Sequence, residues 1–344
     1  MVNFVAAQKL LLHGLMKWAG LTPQTVEIDP MTVMNMWVPL SKTKAEDKNK
    51  EKEKPAVVLI HGFAADGVLT WEFQVGSLAK KYAVYVPDLI FFGASTTDSS
   101  NRSPAFQAEM VVRALGKFGV RRCAVVGFSY GGMVAIKMTE LWPEMVTSLV
   151  VSGSVLALTE SISETLLERI GFSSWSEMLL PNSVKGVKAM FSIACYKKLW
   201  FPDRLFRDYL QVMFTQRKER KELLESLVIS NNDLAIPHFS QPILLLWGEN
   251  DQIFNLELAK NMKECMILNT RDHPDKGLTW NITCADEYFY QKKTCADEYR
   301  QLGEKVILRG IKKAGHLAHL ERPWVYNRCL KEFLAISTHA NGAS

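Results

Sequence analysis

The stretch Cys123-Ala124-Val125-Val126-Gly127-Phe128-Ser129-Tyr130-Gly131-Gly132-Met133-Val134 decides the fold. Its first four residues are apolar without alternation, as a strand covered on both faces requires. From Met133 to Leu141 the apolar residues recur at helical spacing. A bare G-x-S-x-G is a weak signal. Set between a buried strand and a helix it reads as a tight turn that holds Ser129 at strained dihedrals, with Gly127 and Gly131 removing β-carbons that would clash. The Ser129 hydroxyl then projects over a sheet, beside unpaired amides of the helix.

Working outward, similar apolar runs occur at 56–60, 83–86, 149–151, 243–247 and 306–308. Helical patterns lie between several of them, notably at 104–118 and 132–141. This alternation predicts an α/β fold with a doubly wound, mostly parallel sheet and functional loops at the strand ends. Upstream, 24–28 and 32–38 flank Asp29-Pro30 as a hairpin, and 41–54 is a solvated run of lysines and acids. About ninety residues separate the runs at 151 and 243, with helical periodicity at 162–170, 184–199 and 205–228. They read as a helical lid above the carboxyl edge of the sheet, or as helices packed elsewhere without gating. The expected organisation is an apolar N-terminal helix (1–23), a first core part (24–152), a lid (153–238) and a second core part (239–344).

A serine hydroxyl needs a base, and the base an orienting acid, so two more residues are expected at later strand ends in the order Ser, Asp, His. Gly248-Glu249-Asn250-Asp251 follows one strand and Gly315-His316-Leu317-Ala318-His319 another. Asp251, four residues past its strand, is the chosen acid, with Glu249 and Asp233 as outside candidates. His316 is the expected general base, and Asp251 would fix its tautomer and stabilise its cation. His319, one turn on, reads as a packing or surface histidine or as a support to His316. The oxyanion donors are expected from the main chain at Phe63, in His61-Gly62-Phe63-Ala64, and at Tyr130. His61 reads as holding that loop, and Asp88 as structural or as lining the pocket.

Together these motifs, with Pro87-Asp88-Leu89 through Phe92-Gly93-Ala94-Ser95, resemble the α/β-hydrolase superfamily. The resemblance is to its lidded esterase, lipase and carbon–carbon-bond hydrolase branch, and most of all to plant monoacylglycerol-lipase-like members. It implies an eight-stranded, mostly parallel sheet, a helical cap, no cofactor, and hydrolysis through an acyl-enzyme on Ser129, with Asp251 and His316 as partners. Haloalkane dehalogenases and epoxide hydrolases of this fold carry an aspartate nucleophile, so Ser129 argues against both. The expected substrate is a small or moderately long hydrophobic ester. Carbon–carbon-bond hydrolysis, acyl transfer and a non-turnover small-molecule receptor are the alternatives on the same residues. In the lid, Phe191, Trp200, Phe201, Phe206, Tyr209 and Phe214 are expected either to line an apolar pocket or to pack as core.

The chain departs from the family between acid and base, which stand 65 residues apart where one short helix and one strand usually suffice. Within that span Thr283-Cys284-Ala285-Asp286-Glu287-Tyr288 recurs letter for letter at Thr294-Cys295-Ala296-Asp297-Glu298-Tyr299. Residues 264–300 therefore read as a duplicated surface insertion, with the connecting helix ending near Lys263. No chelate spacing among Cys265, His273, Cys284 and Cys295 supports a metal site.

The 344 residues carry 41 lysines and arginines against 36 acids, a net charge of +5 without a basic stripe. Nucleic acid is not an expected partner. Six cysteines are too few to staple the chain, which fits reduced thiols in a cytoplasmic setting. The sequons at Asn101 and Asn281 read as chance. Residues 1–20 are strongly apolar but interrupted by Gln8, Lys9, His13 and Lys17. They suit a helix docked on the domain or lying on a membrane surface rather than a span or a signal peptide. A monomer or weak dimer is expected.

Overall fold

A computed structural model describes residues 2–40, 54–233, 235–268 and 305–340. Eight strands form one sheet: β1 Leu21–Asp29, β2 Thr32–Pro39, β3 Ala56–Ile60, β4 Ala83–Pro87, β5 Cys123–Phe128, β6 Val146–Ser152, β7 Ile243–Gly248 and β8 Val306–Ile311. Their spatial order is β1-β2-β4-β3-β5-β6-β7-β8, and the two-residue strand Thr96–Thr97 adds to β2. The β1–β2 hairpin and the β2–β4 pair are antiparallel, and the remaining pairs of the eight-strand path are parallel.

The continuous apolar runs follow from this layering. Along β3, Val58 and Ile60 point into one core cluster while Val57 and Leu59 point into the other. Each of these side chains contributes about 1.5–3 kcal/mol by leaving water, so a polar residue at any of them would break the sheet's cover. One face is covered by α1 (Phe4–Trp18), α2 (Gly67–Thr70), α3 (Glu72–Leu78) and the C-terminal helix. The other is covered by α4 (Pro104–Lys117) and α5 (Tyr130–Leu141). The start of α4 is written locally. Ser103 accepts a hydrogen bond from the Phe106 amide, and Pro104 fills the first helical position, where no donor is needed.

Between β6 and β7 the described residues form five α-helices: α6 Glu160–Ile170, α7 Trp175–Leu179, α8 Val184–Ala194, α9 Asp203–Met213 and α10 Arg217–Leu227. They form the expected inserted helical region, with two corrections. The pattern at 184–199 is helical only to Ala194. The pattern at 205–228 is two helices, because Phe214 turns into the core and Gln216 adopts a left-handed φ of 48°. After β7, α11 runs Leu256–Leu268, past the expected end at Lys263. Met266 lies one turn beyond Met262 on the same buried face, so the helix still has a core to cover. The duplicated hexapeptide, Cys284 and Cys295 lie outside the described residues. The chain closes with α12 (Ala318–Glu321) and α13 (Pro323–Ala340). Among the described residues no helix is long and apolar enough to cross a membrane.

Candidate active site

Ser129 stands between the end of β5 and the start of α5 with φ 53° and ψ −121°, a conformation sparsely populated by non-glycine residues. Its amide donates to the Ser152 carbonyl at 2.9 Å, which ties the turn to β6. A serine preceding a helix ordinarily caps it with its side chain. Here the positive φ turns the hydroxyl away, and no capping bond forms.

The glycines explain why the turn can be so tight. A β-carbon on Gly131 would lie 2.4 Å from the carbonyl oxygens of Ile60 and His61, and one on Gly127 would lie 2.3 Å from the Gly131 oxygen. The clash they avoid is therefore between backbones, of α5 against β3 and of the turn against itself, rather than with the serine side chain. Gly132 instead makes room for a side chain, since a β-carbon there would lie 2.5 Å from Ser154 Cβ.

Asp251 and His316 meet. His316 Nδ1 lies 2.8 Å from Asp251 Oδ2, and both side chains are buried. The other carboxylate oxygen, Oδ1, accepts from the Ile253 and Phe254 amides at 2.8 and 3.0 Å. These bonds fix the carboxylate before the ring is considered, and the aromatic rings of Phe128 and Phe254 flank the imidazole. The two turns are also joined directly. The Asn250 amide donates to the Ala314 carbonyl and the Glu249 amide to that of Ile311. A β-carbon on Gly248 would meet the Gly315 oxygen at 2.0 Å. The 65-residue separation thus leaves acid and base aligned. The outside candidates do not reach the ring: Glu249 turns its carboxylate toward Gly310, and Asp233 is exposed in a single 3-10 turn.

Ser129 and His316 line one cavity of about 360 Å³ and also a recess of about 30 Å³ that shares Phe63, Leu179 and Ile253 with it. No hydrogen bond joins the hydroxyl to the ring among the described residues. In free hydrolases that bond is often long and tightens once substrate is bound. Phe63 and Tyr130 pack edge to face with centroids 5.8 Å apart. Tyr130 is the first residue of α5, so its N–H lies ahead of the first intrahelical bond, and the Phe63 N–H donates to no described residue.

His61 holds the Phe63 loop. Its Nδ1 lies 2.7 Å from the Gly62 carbonyl, and its Nε2 accepts from the Leu89 amide at 2.9 Å. The first bond needs a proton on Nδ1 and the second a bare Nε2, so the ring is neutral, and burial lowers its pKa to about 4. Asp88 is also structural. It accepts from Asn35 and from the Gly67 amide, and burial, with Asp66 nearby, raises it to about 7. His319 is fully buried against Phe128, Trp71 and Tyr326 while its ring borders the cavity, and burial lowers it to about 3.

Of the lid aromatics, Phe191, Phe201 and Tyr209 line the cavity, Phe206 and Phe214 pack as core, and Trp200 is 92% exposed. The Tyr209 hydroxyl donates to the Ala64 carbonyl at 2.7 Å, linking lid helix α9 to the loop that carries Phe63.

Sequence reasoning missed Gly153. At φ +53° it passes so close to the site that a β-carbon would lie 2.9 Å from His316 Nδ1 and Cε1 and 3.3 Å from Asp251 Oδ2. Its signal was a glycine directly after a buried strand end, Val150-Val151-Ser152, in the position where the other strands carry site turns. Among the described residues no cluster of histidine, cysteine and acidic side chains is arranged to hold a metal.

The alpha/beta hydrolase fold family model matches residues 55–272. The chain is 26% identical over 273 residues to Epoxide hydrolase 4 of Mus musculus, covering 67% of this chain and 73% of that protein. It is 24% identical over 213 residues to a 2-hydroxy-6-oxononadienedioate/2-hydroxy-6-oxononatrienedioate hydrolase of a Pseudomonas species, covering 60% and 75%. A putative lipase of Acinetobacter baumannii AYE superposes with a TM-score of 0.70 at 18% identity, covering 96% and 97% of the two chains. These similarities span several reactions, whereas the strained serine turn and the buried acid–histidine pair have the arrangement of a serine hydrolase. By its matching family model and its fold, the chain belongs to the alpha/beta hydrolase fold family.

Proposed function

We propose that the protein cleaves an acyl bond of a neutral, apolar substrate through an acyl-enzyme on Ser129. The observation that carries this reading is the buried His316–Asp251 pair, 2.8 Å apart, opening with Ser129 on one apolar cavity. His316 takes the Ser129 proton as the hydroxyl attacks the carbonyl and returns it to the leaving group, while Asp251 steadies the imidazolium. The Phe63 and Tyr130 amides receive the oxyanion, each worth about 3 kcal/mol to the transition state. Water then attacks the acyl-enzyme with His316 again as base.

A hydrophobic carboxylic ester is the favoured substrate. Among the described lining residues there is no lysine or arginine, and Glu72 lies at the cavity wall. A dicarboxylate of the kind named for the Pseudomonas relative would be desolvated there without a cation to meet it. The cavity and the smaller recess meet at Ser129, which suits one long apolar arm and one short one. A monoacylglycerol falls within this class, in keeping with the plant monoacylglycerol-lipase-like proteins that the motifs resemble. Carbon–carbon-bond hydrolysis is the second reading. It is favoured by the similarity to the Pseudomonas hydrolase and uses the same three side chains.

Fluorophosphonate labelling, followed by p-nitrophenyl esters of graded chain length and a vinylogous 1,5-diketo acid, tests the proposal. Labelling at Ser129, ester turnover and loss of both in Ser129→Ala are expected. An unmodified Ser129 in folded protein would refute it. Turnover of the diketo acid alone would move the assignment to carbon–carbon bonds, and a single labelling event with tight ligand retention but no turnover would indicate a receptor.

A further inference from the structure

Helix α1 covers the core with Val5, Leu12 and Met16, yet leaves Phe4, Leu10, Leu11, Leu15 and Trp18 between 48% and 82% exposed. At 3.6 residues per turn, positions 4, 11, 15 and 18 fall on one face, and Gln8, one turn from Phe4, adjoins it. Gln8 and Val5 line the catalytic cavity. Across the opening, in the loop between α8 and α9, Leu199 and Phe201 also line the cavity while staying 39% and 48% exposed, and Trp200 between them is 92% exposed. Residues that both line the cavity and meet solvent mark its mouth, so this mouth is framed by two exposed apolar segments.

Helix α1 is fixed to α9, the helix that follows the loop. The Phe4 amide donates to Asp208 on α9, and Arg204 reaches the Val2 carbonyl while its guanidinium lies over the Phe4 ring. The free surface charge of the two segments is basic. The helix carries no acid; Lys9 is paired with the buried Asp66 at 2.6 Å, which leaves Lys17 exposed, and the loop carries exposed Lys197 and Lys198. The acids beside them are half-buried and engaged, Glu72 with Gln8 and Glu321 with the Lys197 and Gly315 amides. Nearby, Asp203 is paired with Lys188 and Asp208 is buried under Phe4. Protruding leucines and tryptophans ringed by lysines are the chemistry of a surface that enters the headgroup layer of an anionic bilayer.

We infer that this face, α1 together with loop 196–201, docks the protein on an anionic lipid bilayer with the mouth of the catalytic cavity turned toward the membrane. An apolar substrate would then pass from the lipid phase into the cavity without crossing water. The substrate half of this statement rests on the function proposed above, but the docking half does not.

The test is co-sedimentation of the full chain with sucrose-loaded vesicles of phosphatidylcholine alone and of phosphatidylcholine with 30 mol% phosphatidylserine, at low and high salt. Binding to the anionic vesicles, weakened by salt and by omission of phosphatidylserine, is expected. Leu11→Glu/Leu15→Glu should lower the partition coefficient more than about tenfold, and Lys17→Glu/Lys197→Glu/Lys198→Glu should abolish the preference for phosphatidylserine. All of these side chains are exposed, and an unchanged circular dichroism spectrum and melting temperature would verify each variant. Should the leucine pair fail to fold, Trp200→Glu asks the same question from the loop. Absence of sedimentation with either vesicle set, equal sedimentation with both, or unchanged binding by the verified variants would overturn the inference. So would a dimer in solution that the leucine pair dissociates without any vesicle binding. Vesicle binding without hydrolysis of any ester would leave docking standing and remove the proposed function instead.

Discussion

Substituting Gly153 by alanine should disable the site while sparing the fold. Two costs can be separated. The first is backbone strain: at φ +53° a β-carbon costs about 1–2 kcal/mol, which lowers the melting temperature of a chain of this size by a few degrees, at about 2–4 °C per kcal/mol. The second falls on the imidazole. An alanine β-carbon 2.9 Å from Nδ1 and Cε1 must push the ring back by roughly half an ångström or more to reach ordinary contact. Phe128 and Phe254 flank the ring, and Asp251 is itself held by two amides, so the displacement cannot be absorbed without stretching the 2.8 Å bond. Misplacement on this scale is worth about a hundredfold in kcat/KM. Gly171 supplies the control. It has φ +75° but open space around its would-be β-carbon, so Gly171→Ala carries the strain without the collision. Ester hydrolysis and fluorophosphonate labelling rates, read beside melting curves, give the comparison. If Gly153→Ala keeps wild-type kcat/KM, or if Gly171→Ala loses as much, the reasoning from close approach is wrong.

Acid should destabilise the fold from pH 6.5 downward. His61 and His319, lowered by burial to about 4 and about 3, stay neutral while the unfolded chain takes up protons below 6.5, on the order of 3 kcal/mol lost per ring by pH 4. Asp88, raised by burial to about 7, works oppositely, because the folded chain protonates first and its contribution grows as pH falls from 7 toward 4. Urea titrations should therefore show a steeper acid loss in Asp88→Asn than in wild type. Equal slopes would exclude Asp88 from the balance. Tyr209→Phe removes the bond to Ala64 that ties α9 to the loop carrying Phe63, so a stability loss of about 1 kcal/mol and, if that loop receives the oxyanion as proposed, a several-fold fall in kcat/KM are expected. Unchanged kinetics would uncouple that contact from catalysis. Arg220, buried with Nε 2.9 Å from the Phe91 carbonyl and its guanidinium over Phe92, should cost about 2–4 kcal/mol as Arg220→Met, read as a melting shift of roughly 5–15 °C. A shift below 2 °C would show that packing compensates.

Much of the architecture was legible because the sheet is buried on both faces. That requirement forces unbroken apolar runs, and Ala56–Ile60 was readable to the residue. The serine turn was legible for a related reason: backbones approach within 2.4 Å of where a β-carbon would stand, and only glycine permits it. The lid was legible as a block but not in detail. The break at Gln216 comes from one left-handed residue whose type does not demand that conformation, and Phe214 leaves the helix at its C-cap to pack in the core. Gly153 escaped notice because the side chain that leaves no room for a β-carbon there is His316, 163 positions away in sequence order. Arg220 escaped likewise, since its carbonyl partner at Phe91 lies 129 residues off.

The weld between Gly248 and Gly315 has a practical corollary. With the two turns clamped by Asn250 and Glu249 to the backbone of residues 311 and 314, the register of acid and base is set by strand neighbours and not by the length of chain joining them. The chain between α11 and β8 can therefore change in length, to take in a reporter domain or to be split into complementing halves, without moving the contact between Asp251 and His316.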